Sequence, residues 1–178
     1  MRFFQYRNKN GPRRKVYDTA LRLSRSLKQT GLLFIVNDHA DIAAAVDADG
    51  VHLGQEDLPI EQARQILGPD RLIGISTHSM AQATEAWTAG ADYIGFGPVF
   101  PTATKNAGAA QGLENLRHIR QAVPIPIFAI GGITRETVRD VLRAGADGAA
   151  VISAVLGAPD PGAEAKRMME AIRNTEGS

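Results

Sequence analysis

Three long polar side chains alternate with other residues near the beginning of the sequence. Gln5, Arg7 and Lys9 are separated by single residues, so an extended strand would place all three on one face. An amide, a guanidinium and an ammonium group on one face suit an anionic ligand that accepts hydrogen bonds. The alternative interpretation is a solvated strand edge that binds no ligand.

Acidic residues follow the next two apolar runs. Asn37 and Asp38 come directly after the run that ends at Val36, and Asp57 ends the segment Gly54–Asp57 after the next run. Magnesium usually takes one or two protein carboxylates and completes its shell with water and substrate phosphates. The pattern therefore predicts Asp38 and Asp57 as Mg²⁺ ligands. The alternative is that each aspartate caps the helix that follows it, which is the commoner role of an isolated aspartate.

A serine and a histidine close the fourth apolar run. Ser76 is placed to hydrogen-bond a substrate, and His78 is a candidate general acid or base, or else only a helix cap or surface residue. The sequence around Ser76 has no nucleophile elbow, so Ser76 is not interpreted as a nucleophile.

A proline- and glycine-rich loop follows the fifth apolar run. It carries two hydroxyl groups, Thr102 and Thr104, and then Lys105, whose ammonium group would act as a point charge on phosphate. This composition predicts an anion-binding loop, and a mobile lid is the alternative for residues 107–111.

Paired glycines follow the sixth apolar run. Gly131 and Gly132 precede a predicted helix, so their backbone N–H groups and the helix dipole could hold a phosphate. Ser153 ends the seventh run and would lie at the same edge of a parallel sheet. Phosphate binding by the last two strand-to-helix loops recurs in (β/α) barrels.

Short apolar runs alternate with segments of helical period along the chain. The predicted strands are Arg2–Tyr6, Leu32–Val36, Gly50–Leu53, Leu72–Ile75, Tyr93–Phe96, Pro126–Ile130 and Gly148–Ile152. The predicted helices are Arg14–Gln29, His39–Val46, Ile60–Leu67, Met80–Thr88, Leu113–Ala122 and Arg135–Arg143, the last with Thr134 as its N-cap. Continuous apolar runs are typical of parallel strands that are buried on both faces.

A small repeat supports this alternation. Ala-Gly-Ala-Asp precedes the fifth strand at 89–92 and the seventh strand at 144–147, and its glycine can end a helix in the left-handed conformation. Alternating strands and helices indicate an α/β fold. No Gly-x-Gly-x-x-Gly opens the first helix, so a TIM (β/α)8-type barrel is favoured over a doubly wound sheet. The sequence supplies about seven of the eight β/α units, in one predicted domain over residues 1–178.

Composition excludes several classes of protein. The formal net charge of +1 and the aromatic content of 6% give no reason to expect nucleic-acid binding. The chain has no cysteine, which fits a cytoplasmic location, and no apolar run long enough to span a membrane. No signal peptide is predicted.

Taken together, these motifs resemble the thiamine phosphate synthase family. The matching strings are residues 5–9 (QYRNK), 37–38 (ND), 50–57 (GVHLGQED), 74–78 (GISTH), 95–105 (GFGPVFPTATK) and 129–133 (AIGGI). The resemblance covers almost the whole chain. The 50–57 string and the Pro-Thr-x-Thr-Lys loop are its most specific parts.

The resemblance implies a reaction that joins a pyrimidine diphosphate to a thiazole phosphate and releases pyrophosphate, with Mg²⁺ as cofactor. It implies that Asp38 and Asp57 ligate Mg²⁺. The residues that it assigns to the pyrimidine diphosphate are Gln5, Arg7, Lys9, Asn37, Ser76 and Lys105. Of these, Arg7, Ser76 and Lys105 are the expected catalytic residues. The residues that it assigns to the thiazole phosphate are Thr102, Thr104, Gly131, Gly132, Ile152 and Ser153.

The family has one strand and helix ahead of the Gln-x-Arg-x-Lys strand, so the chain is expected to lack the first β/α unit. A misassigned start, a real truncation, or a gap filled by another chain or by rearrangement would each explain this. Two other functions stay open: a thiazole tautomerase that uses His78, and an inactive phosphate-binding remnant. The expected partners are small-molecule substrates, with a homo-oligomer allowed.

Overall fold

The computed structural model of the chain describes residues 2–102 and 108–173. These residues form two compact units. The first unit comprises the chain up to Ser76 together with Thr88–Tyr93, and the second comprises Thr77–Trp87 and the chain from Ile94 onward. Thr104 and Lys105, both predicted to bind substrate, lie outside the described residues.

Seven strands form one sheet whose strand order follows the chain. They are β1 (Phe3–Tyr6), β2 (Leu33–Asn37), β3 (Gly50–Leu53), β4 (Leu72–Thr77), β5 (Tyr93–Phe96), β6 (Ile127–Ile130) and β7 (Gly148–Ala150). The predicted α/β fold is confirmed, and the bounds of β3 and β5 agree with the prediction. An eight-unit closed barrel stays a prediction, because β1 and β7 are the terminal strands of this order.

Helices alternate with the strands. They are α1 (Arg13–Leu27), α2 (Ala40–Ala45), α3 (Ile60–Leu67), α4 (Met80–Thr88), α5 (Gly112–Ala122), α6 (Val138–Arg143), α7 (Ser153–Leu156) and α8 (Pro161–Arg173). None of the helices in the described part of the chain is long and apolar enough to cross a membrane.

The predicted start of α6 is wrong by three residues. The helix begins at Val138 with Thr137 as its N-cap, and no side chain caps it. Thr134 instead begins a turn, in which its N–H donates to the Thr137 hydroxyl over 3.0 Å and its carbonyl accepts from the N–H of Val138. The side chain of Thr134 hydrogen-bonds to Glu136, and this contact lowers the pKa of that carboxyl group.

In the first unit, parallel pairing joins β1 to β2, β2 to β3 and β3 to β4. The central side chains of these strands are fully buried, among them Ile35, Val51 and Ile73. Strand β1 has only half-buried and exposed residues. The continuous apolar runs of β2 and β3 therefore form the core that carries the loops at the carboxyl ends of the strands.

In the second unit, parallel pairing joins β5 to β6 and β6 to β7. Phe96 and Ile127 on the strands and Leu116 and Ile119 on α5 are almost fully excluded from solvent. The spacing of three between Leu116 and Ile119 puts both on one face of α5. Helix α5 therefore contributes an apolar face to the core of this unit.

An aspartate just before a strand binds the preceding strand through two hydrogen bonds, an arrangement that we call an aspartate clasp. The N–H of Asp49 donates to the Phe34 carbonyl over 2.9 Å, and the Asp49 carboxylate accepts from the Phe34 N–H over 2.7 Å. Two further clasps have the same pattern, Asp92 with Ile73 and Asp147 with Ile127.

Arginines reinforce two of these clasps. Arg64 pairs with Asp92 over 2.6 Å, and Arg120 pairs with Asp147 over 2.9 Å. The glycine of each Ala-Gly-Ala-Asp repeat has positive φ, 91° at Gly90 and 103° at Gly145, as the repeat predicts. The glycine of the repeat thus ends a helix, and its aspartate forms a clasp with the preceding strand.

Replacing Asp147 by alanine should lower the free energy of unfolding by about 1–3 kcal/mol, because the buried N–H of Ile127 would lose its carboxylate acceptor. Urea denaturation followed by circular dichroism measures this change. The control is Asp140→Ala on α6, where the lost contact is a 3.8 Å pair with Arg143. Equal stability of Asp147→Ala and the parent chain would contradict a structural role for the clasp.

Candidate active site

The first unit gathers basic and acidic side chains at the carboxyl ends of its strands. Strand β1 ends at Tyr6, so Gln5 lies in the strand, whereas Arg7 and Lys9 lie in the loop that follows. The prediction that one strand face carries all three is therefore wrong for Arg7 and Lys9. The ammonium group of Lys9 nevertheless lies 3.6 Å from the carboxylate of Asp38.

Asp38 lies at a backbone position that few residue types adopt. Its φ is +68°, in the left-handed region where aspartate and asparagine are tolerated best among residues with side chains. Its N–H donates to the carbonyl of His52 in β3 over 2.9 Å, and the buried amide of Asn37 donates to its carboxylate. These contacts fix Asp38 between the ends of β2 and β3.

The loop after β3 folds back on itself through Asp57. The Asp57 carboxylate accepts from the N–H of Gly54 over 2.6 Å, and the Asp57 N–H donates to the Gly54 carbonyl over 3.3 Å. The alternative interpretation, that each of the two aspartates caps a helix, is wrong. The N-cap residues of α2 and α3 are His39 and Pro59, and no side chain caps either helix.

The carboxyl groups of Asp38 and Asp57 interact directly. Burial raises the pKa of Asp38, and hydrogen bonding to Asp57 and the charge of Asp57 raise it further. The charges of Lys9 and Arg7 act in the opposite direction. Two acidic groups and two basic groups therefore meet at this end of the first unit, an arrangement suited to a divalent cation and a phosphate.

Replacing Asp38 by asparagine should raise the midpoint of thermal unfolding at neutral pH when no divalent cation is present. Because the native-state pKa is raised, the protonated Asp38 contributes stability below the pKa of an unfolded aspartate, and that stability is lost as pH rises through the native value. The neutral amide avoids this loss, so the advantage of Asp38→Asn should shrink in acid. Melting curves of both proteins across a pH series measure the effect, and a constant difference would contradict it.

Ser76 lies near the end of β4, where two side chains of the first unit hold it. The Gln55 amide donates to the Ser76 carbonyl over 2.6 Å, and Nε2 of His52 lies 2.9 Å from the Ser76 hydroxyl. Nδ1 of His52 lies 3.1 Å from the hydroxyl of Tyr93. Sequence reasoning assigned no role to His52, Gln55 or Tyr93. A histidine inside the apolar strand β3 was the one signal for the first of them.

His78 lies in the second unit, just after β4. Its Nδ1–H donates to the carbonyl of Gly97, and its backbone N–H donates to the Gln82 side chain over 2.7 Å. The hydroxyl of Thr77, which is fully buried, donates to the carbonyl of Gly95 over 3.2 Å. These contacts hold Thr77 and His78 against the end of β5. Because Nδ1–H of His78 already donates to the Gly97 carbonyl, this nitrogen is not free for proton transfer.

The two positions after β6 favour glycine, because their backbone has positive φ and close neighbours leave no room for a side chain. The φ values of Gly131 and Gly132 are +89° and +66°. A Cβ atom on Gly131 would lie 2.5 Å from Cβ of Pro98, and one on Gly132 would lie 2.5 Å from the carbonyl oxygen of Pro101. The loop after β5 therefore lies directly against the glycine turn, where the Phe100 N–H also donates to the Gly131 carbonyl over 3.1 Å.

The end of β7 differs from the prediction. The strand stops at Ala150, and Ser153 is the first residue of the short helix α7 rather than the end of a strand. Ile152 is 60% exposed. Thr102 is the last described residue before the gap and is half-buried. Thr102, Ile152 and Ser153 thus all lie in the second unit, together with the glycine turn.

Within the described residues, no group of three or more histidine, cysteine, aspartate or glutamate side chains is arranged to hold a metal. Magnesium usually binds through one or two protein carboxylates together with substrate phosphates and water, so the pair formed by Asp38 and Asp57 could hold it. The fold and these side chains define an α/β enzyme that handles anionic, phosphate-bearing substrates.

Comparison with known proteins identifies the family. The family model described as thiamine monophosphate synthase matches residues 1–155. A thiamine-phosphate synthase from Chloroflexus aurantiacus is 48% identical over 173 residues, which cover 97% of this chain and 80% of that protein. The chain belongs to the thiamine monophosphate synthase family.

Solved structures agree with this assignment. The thiamine phosphate pyrophosphorylase from Pyrococcus furiosus superposes with a TM-score of 0.89 at 45% identity, covering 96% of this chain and 82% of that one. A 3-hexulose-6-phosphate synthase superposes with a TM-score of 0.66 at 20% identity, covering 85% and 80%. The second likeness concerns the fold alone.

Proposed function

We propose that the chain is a thiamine phosphate synthase that joins 4-amino-2-methyl-5-(diphosphooxymethyl)pyrimidine to thiazole phosphate and releases pyrophosphate. The observation that carries this proposal is the contact of the Asp38 and Asp57 carboxyl groups beside the cations of Lys9 and Arg7. The 48% identity to a thiamine-phosphate synthase supports the choice of substrates. The proposed architecture is a (β/α) barrel in one domain, to which this chain contributes about seven units. A cytoplasmic location and a homo-oligomer stay predictions.

The acidic pair fits Mg²⁺. The charges of Lys9 and Arg7 only partly offset the effects of burial and of Asp57, which together favour the protonated form of Asp38, so a bound cation would stabilise the ionised pair. Asp38 and Asp57 would hold the cation, and substrate phosphates and water would complete its shell. When bound, Mg²⁺ neutralises negative charge that develops on the diphosphate.

The substrates are assigned to different units. In the first unit, Gln5, Arg7, Lys9, Asn37 and Ser76 would bind the pyrimidine diphosphate. In the second unit, Gly131, Gly132, Ile152 and Ser153 would surround the phosphate of the thiazole, with Thr102 and Thr104 nearby. Lys105 would contact the diphosphate. The assignments of Thr104 and Lys105 rest on the sequence, because both lie outside the described residues.

The reaction is a dissociative substitution. The bond between the benzyl-like carbon and the diphosphate oxygen breaks, and pyrophosphate leaves with the electron pair. The lone pair of the thiazole nitrogen then forms the new carbon–nitrogen bond. Arg7 and Lys105 stabilise the charge on the leaving group, and the rest of the site orients the substrates. This scheme needs no protein nucleophile, in agreement with the interpretation of Ser76.

The test is product formation by the 178-residue chain supplied with both substrates and Mg²⁺, beside a reaction containing chelator. Mg²⁺-dependent thiamine phosphate would support the proposal. Absence of product from folded protein would overturn it in favour of the remnant or tautomerase hypotheses. Isomerisation of the thiazole phosphate without metal would separate the tautomerase from the remnant.

A further inference from the structure

A histidine in the first unit joins a tyrosine hydroxyl to a serine hydroxyl. His52 lies on β3 and is 7% exposed, and Tyr93, at the start of β5, is 4% exposed. Nδ1 of His52 lies 3.1 Å from Oη of Tyr93, and Nε2 lies 2.9 Å from Oγ of Ser76. Among the described residues, Ser76 has no other side-chain hydrogen bond. The three side chains form one continuous line from the core to the end of β4.

Packing fixes the position of the tyrosine in this line. Gly74 lies beside His52 in the β3–β4 register, and a Cβ atom on Gly74 would lie 2.0 Å from Cζ of Tyr93. The absence of a side chain at Gly74 therefore provides the space that the Tyr93 ring occupies. The ring of Phe3 contacts the same tyrosine, with 5.1 Å between the ring centroids. Tyr93 thus presents its hydroxyl to His52 from a rigid setting.

The direction of the hydrogen bonds follows from the chemistry of the two hydroxyls. Both ring nitrogens of His52 lie beside neutral hydroxyl groups, and the residue is only 7% exposed, so the neutral imidazole is the favoured form. A neutral imidazole has one N–H donor and one acceptor nitrogen. A phenol is a stronger donor and a weaker acceptor than an aliphatic alcohol. The favoured arrangement has Tyr93 donating to Nδ1 and Nε2–H donating to Ser76.

In this arrangement the Ser76 hydroxyl accepts a hydrogen bond from His52, so its own hydrogen atom can be donated to a ligand. With the opposite tautomer, in which Nδ1 carries the hydrogen, the Ser76 hydroxyl would donate to Nε2 and could only accept a hydrogen bond from a ligand. A donor suits an oxygen of a departing diphosphate, since negative charge grows there during the reaction. A donor to a pyrimidine ring nitrogen would instead destabilise a cation that forms on the ring.

We propose that Tyr93 and His52 are positioning residues that hold Ser76 as a hydrogen-bond donor toward the diphosphate oxygen of the pyrimidine substrate. This inference rests on the proposed synthase function for the identity of the ligand. The direction of the hydrogen bonds of His52 does not depend on the ligand and can be measured in the ligand-free chain. The inference can therefore be tested both with and without turnover.

A double-mutant cycle tests the coupling to Ser76. Tyr93→Phe removes Oη and keeps the ring in the space beside Gly74, so kcat should fall by about tenfold, the value of one hydrogen bond, with KM for thiazole phosphate unchanged. In a Ser76→Ala background the same change should have no further effect. Tyr17→Phe on α1 is the control and should behave like the parent chain. An equal loss from Tyr93→Phe in both backgrounds would overturn the proposal.

A spectroscopic measurement separates failure of this inference from failure of the proposed function. The ¹⁵N spectrum of the folded, ligand-free chain should show His52 protonated at Nε2, with its signals assigned by their loss in His52→Asn. Tyr93→Phe should shift the population toward the Nδ1–H tautomer. A parent chain with Nδ1–H would overturn the inference even if the enzyme is active. Nε2–H in a chain that makes no thiamine phosphate would overturn only the assignment of the ligand.

Discussion

The variant Asp57→Asn should lose Mg²⁺-dependent formation of thiamine phosphate by about a hundredfold or more, while keeping the fold. The amide oxygen can still accept from the N–H of Gly54, so the loop after β3 should keep its shape. The negative charge is lost, however, and Asp38 alone would hold the cation weakly. Initial rates across a Mg²⁺ series measure the effect, which should include a higher Mg²⁺ requirement.

Asp18→Asn is the matched control, because it removes the charge of an exposed aspartate that pairs with Arg14 on α1. Its rate and Mg²⁺ dependence should equal those of the parent chain. Activity of Asp57→Asn within twofold of the parent at every Mg²⁺ concentration would refute the role of Asp57 as a metal ligand.

The variant Gly132→Ala should raise KM for thiazole phosphate by about ten- to a hundredfold and leave KM for the pyrimidine diphosphate unchanged. Its φ of +66° is unfavourable for alanine, and the new methyl group would also meet the Pro101 carbonyl at 2.5 Å and Cβ of Phe100 at 2.8 Å. The turn must therefore open, which would displace the backbone N–H groups proposed to hold the phosphate. Steady-state kinetics with each substrate varied in turn measures the two KM values.

Gly90→Ala separates backbone strain from displacement of the turn. Gly90 has a φ of +91°, but no heavy atom lies within 4 Å of the position of an added Cβ. This control should lower stability and leave both KM values unchanged. If Gly132→Ala leaves KM for thiazole phosphate unchanged, the glycine turn does not bind that substrate.

The sequence predicts the α/β alternation well because its strands are continuous apolar runs bounded by turn residues. Strands β3 and β5 and helices α3 and α4 have the predicted bounds. The start of α6 escapes prediction because a threonine turn with its own hydrogen bonds precedes it. Strand β7 is shorter than predicted because the chain turns into α7 at Ser153.

Candidate ligand-binding residues were predictable where polar side chains follow apolar runs, as at Asp38 and Asp57. Local sequence could not decide between a cap and a metal ligand there, because that choice depends on which side chains meet across β2 and β3. His52 and Tyr93 were missed for a different reason. Both lie within apolar strands, so the sequence predicts them to be core residues. Their role appears only when the distances from His52 to Tyr93 and to Ser76 are known.

The aspartate clasps bear on how this scaffold can change. Each lies at the amino end of its strands, and in both units the candidate ligand-binding groups lie at the carboxyl ends. The residues that fasten neighbouring strands are thus different residues from those assigned to substrates. Substitutions among the substrate-assigned side chains would leave the hydrogen bonds of the clasps intact, which makes those side chains, rather than the clasps or the glycine turn, the natural place to engineer a new specificity.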